Sequence, residues 1–240
     1  MSDRTATPAI LELRNLTKNF GGLRPLRVRH LAVAAGDQLT LSGLDAPAAE
    51  TLIHLVSGAS VPDEGTVLVD GADTREIASG TEWLASLDRF GIVTHRAVFI
   101  EALPVAANMA LPLTLEIEPV PDETRAEVDA LADVVELPLA TLDVPISTLG
   151  ALDRLRVHLA RALATKPRIV LLEHPTATLS DTAERETFGR ALRRAASERH
   201  CGFLALTEDA AFADASGATR LALKPANGEI SRVGGWWPWK

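Results

Sequence analysis

Apolar and polar residues alternate along 10–17 and again along 27–33, the two-residue period of a strand with one buried face. The second run ends at the turn Ala35-Gly36-Asp37. A short strand is predicted over 38–42. A helix follows over 48–57, where Leu52, Leu55 and Val56 share a face and Gly58 ends the run. Residues 66–69 read as a strand closed by Asp70-Gly71, and 91–94 as another brief one. Residues 121–137 have a helical period on an acidic background, with Pro121 near the start and Pro138 just past the end. A further helix over 149–165 stops at Lys166-Pro167. The unbroken apolar runs 168–172 and 203–206 have the composition of strands buried on both faces of a parallel sheet. Between them 181–199 reads as a charged surface helix. Residues 220–233 read as a hairpin turning at Asn227-Gly228.

Antiparallel strands followed by alternating strand and helix predict an α/β core carrying a β-rich edge. Residues 96–149, mostly helical, are expected to form a subdomain inserted in that core, the whole of 1–240 making one domain. Three of the four tryptophans fall in the tail 234–240. Such a cluster docks on a partner, touches a membrane surface or covers the chain's own core.

Composition narrows the function classes. A net charge of −8 argues against nucleic-acid binding, which needs a basic surface, and gives no attraction to anionic lipid. Cys201 is the only cysteine, so neither an intramolecular disulfide nor a cysteine metal cluster is possible, which fits a reducing cytoplasm. Residues 1–8 are polar and lack the apolar core of a signal peptide, and no apolar run reaches the roughly 18 residues of a spanning helix. A membrane role would have to come through a partner.

The candidate chemistry centres on the strand-to-helix turn after residue 42. A phosphate-binding loop reads G-x-x-x-x-G-K-[S/T]. Here Gly43 supplies the first glycine, and Ala48, Ala49 and Glu50 stand at the second glycine, the lysine and the magnesium hydroxyl, with Thr51 next. Other segments follow in order. Phe20 comes after Leu16-Thr17-Lys18-Asn19. Val61-Pro62-Asp63-Glu64-Gly65 leads into a strand ending at Gly71. Gly91-Ile92-Val93-Thr94-His95, Val105-Ala106-Ala107-Asn108-Met109, Leu149-Gly150-Ala151-Leu152-Asp153, Glu173-His174-Pro175-Thr176 and Thr207-Glu208-Asp209 complete the series. Taken together, the chain resembles an ATP-binding-cassette (ABC) nucleotide-binding subunit from about residue 11 to 233. In wording it is similar to the lipoprotein-release and macrolide-efflux type ATPases.

The resemblance implies a P-loop NTPase-like ABC ATPase fold with an antiparallel β edge subdomain and an inserted helical subdomain. It implies that Phe20 stands where an aromatic stacks on adenine, and Gly43, Ala49, Glu50 and Thr51 where phosphate and magnesium are held. His95 stands at the Q-loop glutamine, Gly150 and Leu152 at the signature serine and second glycine, Glu173 and His174 at Walker B, Ser180 at the D-loop aspartate and Glu208 at the switch histidine. With so many groups exchanged, no catalytic residue is expected. The sites read as vestigial, and no cofactor is expected unless the altered site still takes ATP and magnesium. Glu50 is read as an internal anion replacing phosphate at the helix N-terminus. Pro47 removes one backbone donor.

His95, Glu173, His174 and Glu208 are expected to converge. They either hold a transition metal or form a hydrogen-bonded plug, and the plug is the reading taken, with no metal. His30, His54, His158 and His200 are taken as ordinary surface or helix residues, and the acidic helix as a solvated face. The function expected is a pseudo-ATPase with a structural or regulatory role in an ABC-type membrane complex. It would sit in the cytoplasm on the inner face of the membrane through a permease-like subunit, dimerising with itself or with another ABC ATPase subunit. The alternatives are an active ATPase with a rearranged site and a metal- or ligand-binding module using the His/Glu cluster.

Overall fold

The computed structural model of the chain describes residues 9–96 and 98–234. The alternating runs pair as expected. β1 (Ala9–Lys18) lies between β2 (Leu26–Ala34) and β4 (Glu64–Val69), with β5 (Ala72–Asp73) at the edge, in an antiparallel sheet of order β2-β1-β4-β5. The apolar positions Leu11, Leu13, Leu16, Val28, Leu31 and Val33 face one core.

The second sheet has the order β10-β9-β3-β8-β7-β6. Its centre is parallel: β3 (Gln38–Ser42), β8 (Gly202–Leu206), β7 (Ile169–Glu173) and β6 (Phe90–Val93). β9 (Thr219–Lys224) runs parallel to β3 and forms a hairpin with β10 (Glu229–Arg232). Every residue of β7 and β8 is buried, as their continuous apolar runs require. Glu173, the last residue of β7, is buried with them.

The helices close both faces. α1 (Ala46–Val56) puts Ala49, Leu52, Leu55 and Val56 onto the sheet. It begins two residues before the helix predicted at 48, because Asp45 caps it through Ala48 N–H at 2.9 Å and Pro47 suits the first turn. α2 (Gly80–Leu87) was not foreseen, although Ser79 and Glu82 form a capping box whose carboxylate reaches Ala78 N–H at 2.9 Å. α3 (Val105–Ala110), α4 (Asp122–Val134) and α5 (Ala151–Ala164) pack against one another around Met109, Val128, Leu131 and Leu159. Buried Asn108 joins α3 to the preceding loop, accepting from Ile100 N–H and donating to the carbonyls of Ile100, Leu103 and Pro104.

α6 (Thr182–Glu198) packs on β8, and the unforeseen α7 (Ala210–Ser216) packs against α6. The expectation of a surface helix at 181–199 is half right, because Phe188, Leu192 and Ala195 face the core. The acidic helix keeps the solvated face expected of it, with Asp122, Glu123, Asp133 and Glu136 exposed, and surface ion pairs tie that face to its neighbours. Glu127, Asp133 and Glu136 pair with Arg199, Arg194 and Arg156 on α6 and α5. The role read for the tryptophan-rich tail falls on 235–240, outside the described residues.

Candidate functional site

Parallel strands deliver their C-terminal ends to one edge, where ligands of open α/β sheets bind. Here the edge carries Ser42 of β3, Val93 of β6, Glu173 of β7 and Leu206 of β8, followed by the turns that hold the candidate residues. The turns are tied across strands: Thr207 N–H donates to Leu41 carbonyl at 3.0 Å, and His174 N–H to Leu206 carbonyl at 2.9 Å.

Gly43 takes φ +93°, and a Cβ there would lie 2.1 Å from the carbonyl oxygen of Leu223. Close packing against β9 thus demands glycine without any phosphate. The donors that a phosphate would meet are directed to the chain's own oxygens. Gly43 N–H donates to the Glu208 carboxylate at 2.5 Å, Ala48 N–H to the Asp45 carboxylate at 2.9 Å, and Ala49 N–H to the Asp45 carbonyl at 2.9 Å. Pro47 has no N–H. Ala49 is fully buried, and the Thr51 hydroxyl donates to Pro47 carbonyl at 2.7 Å. The internal anions at this turn are therefore Asp45 and Glu208. The reading of Glu50 as the phosphate substitute is corrected, since the helix begins at Ala46 and Glu50 is its fifth residue, beyond the first turn and its open N–H groups.

Glu50 instead meets Arg96, whose guanidinium lies 3.1 Å from one carboxylate oxygen. The same guanidinium forks onto Glu173, at 3.2 Å and 2.5 Å. Glu173 is fully buried, while Glu50 and Arg96 are partly exposed. Sequence reading missed Arg96. The available signal was the lack of any lysine to balance two carboxylates at positions 50 and 173.

The four residues expected to converge divide into three groups. Glu173 belongs to Arg96 and Glu208 to Gly43 N–H, whereas His95 and His174 line a cleft of about 410 Å³ together with Phe99, Arg154 and His158. His174 takes φ +40°, and its buried Nε2 has no partner among the described residues. His158, taken as ordinary, is a wall of this cleft, its ring 4.1 Å from that of Phe99 between centroids. Burial, with the charges of Arg161 and Arg154 adding, holds its imidazole down at about 4. Across the rim Arg154 pairs with Glu101, at 2.5 Å and 2.9 Å. That pairing holds the Glu101 carboxyl below its ordinary range. Among the described residues no three of His, Cys, Asp and Glu gather closely enough to hold a metal ion.

Phe20 packs half-buried against the core of the antiparallel sheet. Its exposed side borders a second cleft, about 400 Å³, with Leu23, Arg24, Gly43 and Asp45. At the signature position, Gly150 opens α5 without a side-chain cap.

The family model described as "ABC transporter" matches residues 30–177. The chain belongs to the ABC transporter family. Among curated relatives, the sulfate/thiosulfate import ATP-binding protein CysA of Rhodopseudomonas palustris is 32% identical over 202 residues, 83% of this chain and 56% of that protein. CysA of Methylococcus capsulatus is 30% identical over 93% of this chain and 62% of its own length. The spermidine/putrescine import ATP-binding protein PotA of Nitrosomonas europaea is 30% identical over 77% and 48%. The chain thus spans about half to two thirds of the length of these relatives. Among solved structures, the dimeric cassette MJ0796 bound to ADP and Pi superposes with a TM-score of 0.72 at 22% identity, over 94% of this chain and 100% of that one. CbiO1 of Clostridium perfringens, part of the ABC transporter complex cbiONQ, gives 0.77 at 21%, over 93% and 87%. These likenesses establish the ABC cassette fold, with its antiparallel sheet and helical elements.

Proposed function

We propose that this member of the ABC transporter family is a pseudo-ATPase, a cassette subunit that serves a membrane transport complex by its shape and contacts. The observation that carries the reading is the closed anion cradle. Asp45 and Glu208 take the N–H groups of Ala48 and Gly43, at a turn where residue 49 is alanine. A triphosphate arriving there would meet two carboxylates and no lysine, and repulsion replaces the attraction that phosphoryl transfer depends on. An active ATPase with a rearranged site finds no support in this arrangement.

The partners follow from the same family. Relatives named as import ATP-binding proteins, a cassette from a named transporter complex and a dimeric cassette support a permease-like subunit and a second cassette as partners. Among the described residues no helix is long and apolar enough to cross a membrane, so attachment on the cytoplasmic face would come through that permease-like subunit. The exposed apolar residues Val98, Ile100, Leu113 and Leu115 are the candidate contact surface. Isothermal titration with Mg-ATP, run beside a phosphate-release assay, tests the reading. No binding at micromolar nucleotide and no turnover are expected, and micromolar binding with turnover would overturn it.

A further inference from the structure

Arg96 sits in the turn directly after β6, and its guanidinium spans two elements that are not neighbours in sequence. One arm meets Glu50 on α1 and the fork meets Glu173 at the end of β7. Glu173 is fully buried and its carboxylate has Arg96 as its only side-chain hydrogen-bond partner among the described residues. A buried carboxylate held by one cation is stable only while that cation stays in place. A bidentate guanidinium is also the most geometrically demanding such cation. The contact therefore fixes the turn at 94–96 against both α1 and β7.

We propose that Arg96 is a built-in latch. Its guanidinium is the resident cation of the Glu50–Glu173 pair, excludes a free divalent cation from those carboxylates, and holds the turn at 94–96 in one position without any bound ligand. This deepens the pseudo-ATPase reading and rests on it. There the chain's own anions close the phosphate end of the site, and here its own cation closes the metal end. It makes the turn's position a property of the fold, so a partner that docks beside it meets the same surface with or without nucleotide.

The test uses the full chain without nucleotide and Mn2+ as the probe, read by loss of the free-ion electron paramagnetic resonance signal. Wild type and Arg96→Lys are expected to leave the signal unchanged at submillimolar Mn2+. Arg96→Ala is expected to take up roughly one equivalent, and Glu173→Gln in that background to abolish the uptake. Arg96→Ala should also melt roughly 5–10 °C lower, with part of the loss restored by Mn2+. Should Arg96→Ala not fold, Glu50→Gln, at a partly exposed side chain, serves instead. Amide exchange at residues 94–96 is then expected to quicken at least about twofold. Equal Mn2+ uptake by wild type and Arg96→Ala, or unchanged exchange in Glu50→Gln, overturns the proposal. Mg-ATP turnover by wild type would overturn the pseudo-ATPase reading alone and leave these measurements as they stand.

Discussion

Two faces of the molecule are joined by the same chemical pair in different surroundings. At the strand-end edge, Arg96 holds Glu173, whose side chain is fully buried. On the far side of the helical segment, Arg199, Arg194 and Arg156 hold Glu127, Asp133 and Glu136 with most of the partners open to solvent. Water screens the second set and leaves each pair weak, whereas the first set has a charge that nothing else can satisfy. Burial decides which arginine the fold depends on. Arg96→Ala should cost about 3 kcal/mol in urea unfolding, because it strands Glu173. The double variant Arg96→Ala/Glu173→Gln should recover more than half of that loss by removing the stranded charge. A double variant as unstable as the single one would break the comparison.

The next effect comes from the cleft between the two faces. His158 is held at about 4 in the folded chain, against an ordinary value of 6.5, chiefly by burial. The unfolded chain therefore takes a proton at this residue between about pH 6.5 and 4 while the folded chain does not. Stability from this group is complete above about pH 6.5 and falls as the pH drops towards 4, by roughly 2–3 kcal/mol at most. His158→Phe keeps a ring against Phe99 and removes the proton site. Its unfolding free energy should fall less than that of wild type between pH 6.5 and 4.5. Parallel pH curves for the two proteins would show that the imidazole is not held neutral.

A smaller effect is expected at the α1 N-terminus, where the contact is one capping carboxylate. Asp45→Ala removes the acceptor for Ala48 N–H and should cost about 1 kcal/mol. It also reopens part of the anion cradle, so added sulfate should stabilise this variant more than wild type in thermal unfolding. Equal sulfate sensitivity would show that Asp45 does not guard the helix end.

Much of the fold was legible from periodicity, since each long run had one consistent pattern. β1 and β2 alternate, β7 and β8 are continuously apolar, and α4 and α5 have one apolar face. The short helices escaped because eight residues or fewer hold too few turns for a period to register, although the capping box at Ser79 and Glu82 was readable. At the site, the order of motifs located the edge correctly, but side-chain pairing was not legible. A helix predicted to begin at Ala48 puts Glu50 at the open end. The observed start at Ala46 moves that role to Asp45. Arg96 was invisible for a different reason: its partners lie 46 and 77 residues away along the chain, a distance only the fold closes.

The smallest expected effect tests the other half of the comparison. Arg199 on the end of α6 lies 3.4 Å from Glu127 of α4, with side chains 20% and 34% exposed. A double-mutant cycle of Arg199→Ala and Glu127→Ala should give a coupling of about 0.5 kcal/mol. Raising the salt from 0.05 to 0.5 M should erase most of it, since screening acts on charges that water reaches. The Arg96–Glu173 pair, measured the same way, should keep most of its coupling at the higher salt because one partner is out of solvent. If the Arg199–Glu127 coupling proves as large and as salt-resistant as that of Arg96–Glu173, then burial is not what separates the two faces, and the helical segment is clamped to the core as firmly as the turn at 94–96.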